Sequence, residues 1–485
     1  MALKSNSKQN LPWSCDTFVV LPDVTANGAV MLGKNSDRPV FDCQPLMYFP
    51  ARKHEAGSKI KLSYVEIPQA EETYATIGSS PYWCWGYEEG INEYGVAIGN
   101  EAIFTKDLAE AAEAAKKGEK IPEGILGMEL LRLGLERGKT AREALEVMTT
   151  LIEEYGQWGS GVPTSDHSKG AYNNSYIIAD KTEAWVLETV GKHWIAKRVG
   201  SGYAAISNEP SIRNKWDLMS DHLIENAISK KWWPEEKRDT FDFAFAYTDF
   251  KRPLQLSHIR AQRMRQLLKQ ALVEQGKVSF EWMKRILRDH YEDTFLEGPY
   301  FNAALPDFLT ICMHSSPAGF TWGNTASSSI FILPKDDDHL PVLWWTPVTP
   351  CTGLYLPIFI YGKGLPEILS NAGTVGKQVI APPEVKEDTF SENSYWWIFK
   401  DLLETIKGDE YGSRFEVRQK IVREIFDELE NSWIIKTAAV ERDAVSLMKE
   451  GKDEKAAELL WNFTASCVNE ALATVKKVKD IISSV

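Results

Sequence analysis

Hydrophobic and polar positions alternate in blocks along the chain. Residues 16–34 read DTFVVLPDVTANGAVMLGK, where two aliphatic, β-branched runs flank Asn27-Gly28, and the pattern predicts a hairpin. Residues 86–104 repeat the device, turning at Asn92-Glu93-Tyr94-Gly95 before VAIGNEAIF. YVEIP (64–68) and TYATIG (73–78) read as short strands between them. The period then becomes helical. Asp107 is the expected N-cap of LAEAAEAAKKG, LGMELLRLGLERG (126–138) ends on Gly138, and Thr140 with Glu143 forms a capping box for a helix to Tyr155.

Strands return in NNSYIIAD (173–180), EAWVLETV (183–190), HWIAKRV (193–199) and YAAIS (203–207), spaced as an antiparallel meander. Helical patterns fill 212–229, 257–276 and 279–291. A third block of strands is expected in FLTICMHS (308–315), SSSIFILP (327–334), PVLWW (341–345) and GLYLPIFIYG (353–362), and a charged helical pattern runs from about 394 to the end. Strand groups with helices outside them predict an α+β layered sandwich. Ala381-Pro382-Pro383 is the best linker, separating residues 15–380 from a helical extension over 381–485. No G-x-G-x-x-G or G-x-x-x-x-G-K-[ST] occurs, so there is no nucleotide fingerprint.

The composition is that of a globular protein, with 44% apolar and 25% charged residues in 485. Charge sums to 55 − 68 = −13, which argues against nucleic acid and against an anionic membrane as partners. Six scattered cysteines fit a reduced, cytoplasmic protein better than a disulfide framework. Met1–Ser14 has no apolar core of a secretory signal. It is a polar segment that is either a tail or something to be removed.

Cys15 opens the first expected strand directly after that segment. If the Ser14–Cys15 bond is cut, one residue carries a thiol and an α-amine. The amine's reference pKa of about 7.7–8.0 lets it act as the thiol's base near neutral pH. The end of the hairpin, Gly33-Lys34-Asn35-Ser36-Asp37-Arg38-Pro39, returns toward Cys15. Asp37 there could orient the amine, and Lys34 or Arg38 could lower the thiol pKa. Asn100 and Asn208, at strand ends, are candidate oxyanion donors. Trp83 and Trp85 suit pocket walls, although core packing is their commoner use. Glu88 and Glu101 flank Asn100 and could pair with a substrate amine.

With S-C-D-T, G-K-N-S-D-R-P, W-x-W-G-x-E-x-G-x-N-E-x-G-V-A-I-x-N-E-A, L-G-M-E-L-L-R-L-G-L-E-R-G and E-A-W-V-L-E-T-V-G-K, the chain resembles the secernin and cysteine-dependent dipeptidase family of N-terminal-nucleophile hydrolases, most strongly over about 13–210. The resemblance implies an αββα four-layer sandwich of two antiparallel sheets. It implies autoproteolytic removal of a propeptide, residues 1–14, and hydrolysis of dipeptides or similar small amides by Cys15. It maps Asp37 to the amine-orienting carboxylate and Asn100 and Asn208 to amides near the oxyanion. Lys34 stands where relatives often have Arg, and no equivalent of their late-sequence Arg is evident.

Other readings compete with this one. A papain-like protease needs the C-G-[SA]-C-[WY] context, which Cys15 lacks. A metal enzyme would use Asp336-Asp337-Asp338-His339, which reads as a solvated loop; no H-E-x-x-H or paired C-x-x-C exists, so no metal or cofactor is expected. A non-hydrolytic interaction protein keeping the same fold, or an acylase of a non-peptide amide, stays open, as does a homo-oligomer.

Overall fold

The computed structural model describes residues 14–485 apart from 164–167, 169, 253–254, 298–302, 307, 316–322, 362 and 379–384. The expected propeptide up to Trp13 and the expected linker at 381–383 lie outside the described residues.

In chain order, strands β1 (Cys15–Val20) and β2 (Val30–Pro39) form the first hairpin. There follow β3 (Leu46–Phe49), β4 (Arg52–Lys53), β5 (Lys59–Lys61), β6 (Glu66–Pro68), β7 (Glu72–Thr73), β8 (Thr76–Ser79), β9 (Glu89–Asn92) and β10 (Ala97–Ile103). Helices α1 (Lys106–Lys116), α2 (Gly127–Arg137) and α3 (Ala141–Tyr155) lead to β11 (Asn173–Ala179), β12 (Ala184–Val190), β13 (His193–Val199), β14 (Tyr203–Ile206) and β15 (Leu218–Met219). Then come α4 (Leu223–Ser229), α5 (Phe243–Tyr247), α6 (Gln255–Gln275) and α7 (Phe280–Leu287), and strands β16 (Gly323–Leu333), β17 (Val342–Pro347) and β18 (Leu356–Phe359). Helices α8 (Glu367–Ser370), α9 (Tyr395–Lys407), α10 (Phe415–Lys449) and α11 (Asp453–Ile482) end the chain.

Among the described residues these strands build two small two-stranded sheets, β4-β7 and β5-β6, and two large antiparallel sheets that face each other. One has the order β14-β1-β2-β16-β17-β18 and the other β15-β13-β12-β11-β10-β9-β8-β3. Helices α2 and α3 pack on the outside of the second sheet, and α6, α7, α9, α10 and α11 on the outside of the first. The result is the four-layer αββα sandwich. The C-terminal helices share one apolar cluster with the first sheet: Trp396, Phe426 and Trp433 are buried together with Trp345 and Leu356.

Several local expectations change. The hairpin turn is longer than two residues, with Gly28 at φ 71° and Cys15 opposite Ser36. Helix α1 is capped at Thr105, and Asp107 lies in its first turn, where it accepts from Asn173 Nδ2. Of 212–229 only α4 is helical, because Leu218–Met219 pairs with β13. Gly138 ends α2 in an extended conformation rather than a left-handed one. The apolar run at 308–315 forms no strand among its described residues. It is buried irregular chain whose Ile311 carbonyl accepts from the Asn35 side chain at 2.8 Å. The most consequential change is that β14 leaves the meander. After Gly200-Ser201-Gly202 the chain crosses to the other sheet, and β14 pairs with β1.

Candidate active site

That crossover sets up the site. Cys15 is the first residue of β1, flanked by β2 on one side and β14 on the other. Asp37 follows Ser36, the β2 partner of Cys15. Asn208 lies two residues past β14. The second sheet contributes Asn100 and Glu101 from β10. Gly99 makes the approach of the sheets feasible: a Cβ there would lie 3.1 Å from Thr17 and 3.3 Å from the Lys34 side chain.

The Cys15 main-chain nitrogen donates to Asn208 Oδ1 at 2.8 Å, across 193 residues of sequence. Its sulfur accepts from the Asp37 main-chain nitrogen at 3.4 Å. Asp37 Oδ2 accepts from Ser14 Oγ at 2.5 Å and Oδ1 from Thr325 Oγ1 at 2.7 Å, so both oxygens are satisfied. Both ends of the Asn208 amide are engaged too, since Nδ2 donates to the Ala102 carbonyl at 2.8 Å. This amide is positioned to hold the Cys15 nitrogen rather than to face an oxyanion.

Arg260 of α6, which sequence reasoning missed, ties these parts together. Fully buried, it donates to Asn208 Oδ1 at 2.8 Å, to Asp16 Oδ2 at 2.9 Å and to the Cys15 carbonyl at 3.1 Å. The signal was its register. Arg260, Met264, Leu267, Leu268 and Ala271 fall on one buried stripe of the helix, and a cation there must be paired.

A small cavity opens beside the sulfur, lined by Cys15, Asp37, Arg38, Glu88, Asn100, Ala102, Gly161 and Tyr172. Its room for solvent is about 20 Å³, enough for about one water. Asn100 orients by its neighbours: with its amide turned to satisfy them, the nitrogen donates to the Glu88 carbonyl and to Glu88 Oε2, both at 2.8 Å. The other Glu88 oxygen accepts from Arg38 Nη1 at 3.0 Å, and Arg38 also donates to Asp42 and to the Gly161 carbonyl.

The remaining candidates are dispersed. Lys34 is buried between the sheets, 3.6 Å from Glu101 Oε2 and bonded to the Asn35 carbonyl at 3.0 Å. Glu101 also accepts from Thr17 Oγ1 and does not line the cavity. Trp83 stands one step back, its ring 5.7 Å from the Arg38 guanidinium. Trp85 does not line this cavity; its ring lies 3.9 Å from the Arg132 guanidinium. Asp336 and His339 form an exposed pair at 2.7 Å.

Burial dominates the electrostatics. It pushes the Cys15 thiol well up, Lys34 opposing and Glu101, Glu88 and Asp37 adding to the rise. The sulfur in this form is therefore a thiol that needs a base. Burial opposes the charge on Lys34, and the negative charge around it, from Cys15 when ionised and from Glu101, Glu88 and Glu89, raises its pKa on balance. Asp37 is pushed up to about 7 by burial, against the pull of Arg260 and of the Ser14 and Thr325 hydroxyls, with Asp16 adding to the rise. Asp16 is raised to about 6 by burial, opposed chiefly by Arg260. Near neutral pH Asp37 is therefore partly protonated, while Asp16 is mostly ionised against Arg260.

The sequence over residues 14–304 matches the model of peptidase family C69. The chain belongs to that family. Among its relatives, it is 28% identical over 221 residues to a dipeptidase of Bifidobacterium longum (strain NCC 2705), covering 42% of this chain and 39% of that one. It is 24% identical over 197 residues to a probable dipeptidase B of Streptococcus pyogenes serotype M1, covering 39% and 36%. The match thus spans under half the length of either dipeptidase. A mutant conjugated bile acid hydrolase from Clostridium perfringens superimposes with a TM-score of 0.38 at 12% identity, over 68% of this chain and 89% of that chain. In this C69 chain Cys15 stands at the start of the family match, and Asp37, Asn100, Asn208 and Arg260 all fall within it.

Proposed function

We propose that this C69 protein is a cysteine N-terminal-nucleophile peptidase that cleaves dipeptides or similar small amides once the bond before Cys15 is broken. One observation carries the reading: the Cys15 sulfur opens on a cavity while its nitrogen is held by Asn208, 2.8 Å away. As an amide that nitrogen is no base, since its lone pair is delocalised. Freed as an amine, it keeps the Asn208 hydrogen bond and gains Asp37, whose Oδ2 otherwise serves Ser14.

Release uses the same thiol. Cys15 sulfur attacks the Ser14 carbonyl, the acyl group moves from nitrogen to sulfur, and water cleaves the thioester. In turnover, the amine takes the thiol proton, sulfur attacks the substrate carbonyl, and the protonated amine gives its proton to the leaving group. Water then resolves the acyl-enzyme. Asn100 lines the cavity with its amide hydrogens on Glu88, so it serves as oxyanion donor only when substrate takes over one of those hydrogens, and Lys34 holds positive charge near the sulfur. Once the segment before Cys15 is gone and the cavity is opened, Glu88 would pair with the free α-amine of a dipeptide.

The test compares kcat/KM for matched dipeptides with free and acetylated N-termini. Loss of a charge-assisted hydrogen bond of about 1.5–3 kcal/mol predicts a preference of roughly 10–150-fold for the free amine. Equal rates would move the assignment to an N-acyl amide hydrolase, and no turnover of either to a non-hydrolytic protein.

A further inference from the structure

A second buried group lies behind the first sheet. His290 follows α7, Cys312 and His314 belong to the irregular segment before β16, and Cys351 sits in the turn between β17 and β18. Their ligand atoms all lie within 4.8 Å of one another and all four residues are buried. His314 Nε2 is 3.3 Å from His290 Nε2, 3.6 Å from Cys312 Sγ and 3.2 Å from Cys351 Sγ.

Hydrogen bonding alone accounts poorly for this convergence. One imidazole nitrogen offers either a single hydrogen or a single lone pair, so it cannot serve three partners well. A common central ion does account for it. With metal–nitrogen bonds of about 2.0–2.1 Å and metal–sulfur bonds of about 2.3 Å, a tetrahedron has nitrogen–nitrogen edges of about 3.3 Å and nitrogen–sulfur edges of about 3.5 Å. The observed separations fall close to these edges.

The surroundings fit as well. His290 Nδ1 faces Glu292 Oε1 at 2.8 Å, and Glu292 Oε2 accepts from the His290 main-chain nitrogen at 2.7 Å. A carboxylate on the outer nitrogen fixes the tautomer that leaves Nε2 as an electron-pair donor. Phe415 of α10 covers His314 edge-on at 5.3 Å.

We propose that His290, Cys312, His314 and Cys351 form a closed tetrahedral zinc site. Two thiolates and two imidazoles are the donor set of a structural zinc centre, and four protein ligands leave no position for substrate. The site's role is to pin the segment that supports the candidate active site. Met313, between two ligands, donates to Thr325 Oγ1 at 2.9 Å, and Thr325 donates in turn to Asp37. Metal binding releases the two thiol protons to solvent.

Full-length protein, purified without added metal and dialysed, should carry close to one zinc per chain by inductively coupled plasma mass spectrometry. Exchange with Co²⁺ should give the spectrum of a tetrahedral cobalt–thiolate centre. Glu292→Gln, which keeps all four ligands, should lower zinc affinity by roughly 10–100-fold in a competition with a chromophoric chelator. Wild-type protein that holds no metal and gives no cobalt–thiolate bands would overturn the proposal. So would an intact mass showing a Cys312–Cys351 disulfide, or the same cobalt spectrum in folded Cys351→Ser.

Discussion

Two buried cysteine clusters flank β16, and they are built to opposite ends. Around Cys15 the neighbours are oxygens, amides and cations, and a cavity reaches the sulfur. Around Cys312 and Cys351 the neighbours are two imidazoles and each other, within 4.8 Å, closed by Phe415. Burial alone does not make a cysteine reactive. At Cys15 it pushes the thiol well up despite Lys34, and on the proposed reading the missing base is the residue's own freed nitrogen. In the second cluster the four ligand atoms lie within 4.8 Å of one another, the spacing that the proposed ion would need. The contrast is open against closed, and acid–base against ligand chemistry.

The sharpest way to separate the clusters is Cys15→Ala. It should lower peptidase kcat/KM by at least about 10³-fold and leave residues 1–14 attached, while zinc content and thermal unfolding stay near wild type. Loss of metal in that variant would mean that the clusters are not independent.

Next in size is Arg260→Ala. It leaves Asp16 buried without its cation, which should cost about 3–5 kcal/mol in urea unfolding. A cost near zero would show that Arg260 does not hold the site together.

A smaller effect concerns pH. In the Cys15→Ala background Ser14 stays on Asp37, whose carboxyl is raised to about 7. Between about pH 4 and about 7 the folded chain holds a proton that the unfolded chain has lost. That contribution to stability is complete at the low end and disappears as pH rises through about 7. Asp37→Asn should therefore gain in Tm relative to its parent on going from about pH 5 to about pH 8. A constant difference in Tm would mean that Asp37 ionises normally.

Much of the first cluster was legible because hairpin geometry and strand-end amides are local signals. Asn27-Gly28 implied that Asp37 returns to Cys15, and it does. Asn208 was readable as a strand-end amide. That it would reach Cys15 depended on β14 changing sheets, for which the sequence carries only the Gly200-Ser201-Gly202 break. Arg260 was hidden because a helical stripe of five core positions reads as apolar even when one of them is a cation. Trp85 misled because an aromatic beside a motif does not show whether it faces the cavity or, as here, a buried guanidinium. The second cluster was invisible for a different reason. Its ligands come from three segments, 290, 312–314 and 351, with no paired spacing, and the apolar run holding Cys312 looked like a strand. Burial, not pleating, explains that run's hydrophobicity.

The central claim is that Cys15 acts as an N-terminal residue. N-terminal sequencing of the active fraction, labelled at its nucleophile by a dipeptidyl chloromethyl ketone, tests it most directly. The label should sit on a chain that begins at Cys15, with none on unprocessed protein. Full activity and labelling of protein that still carries residues 1–14 would contradict it.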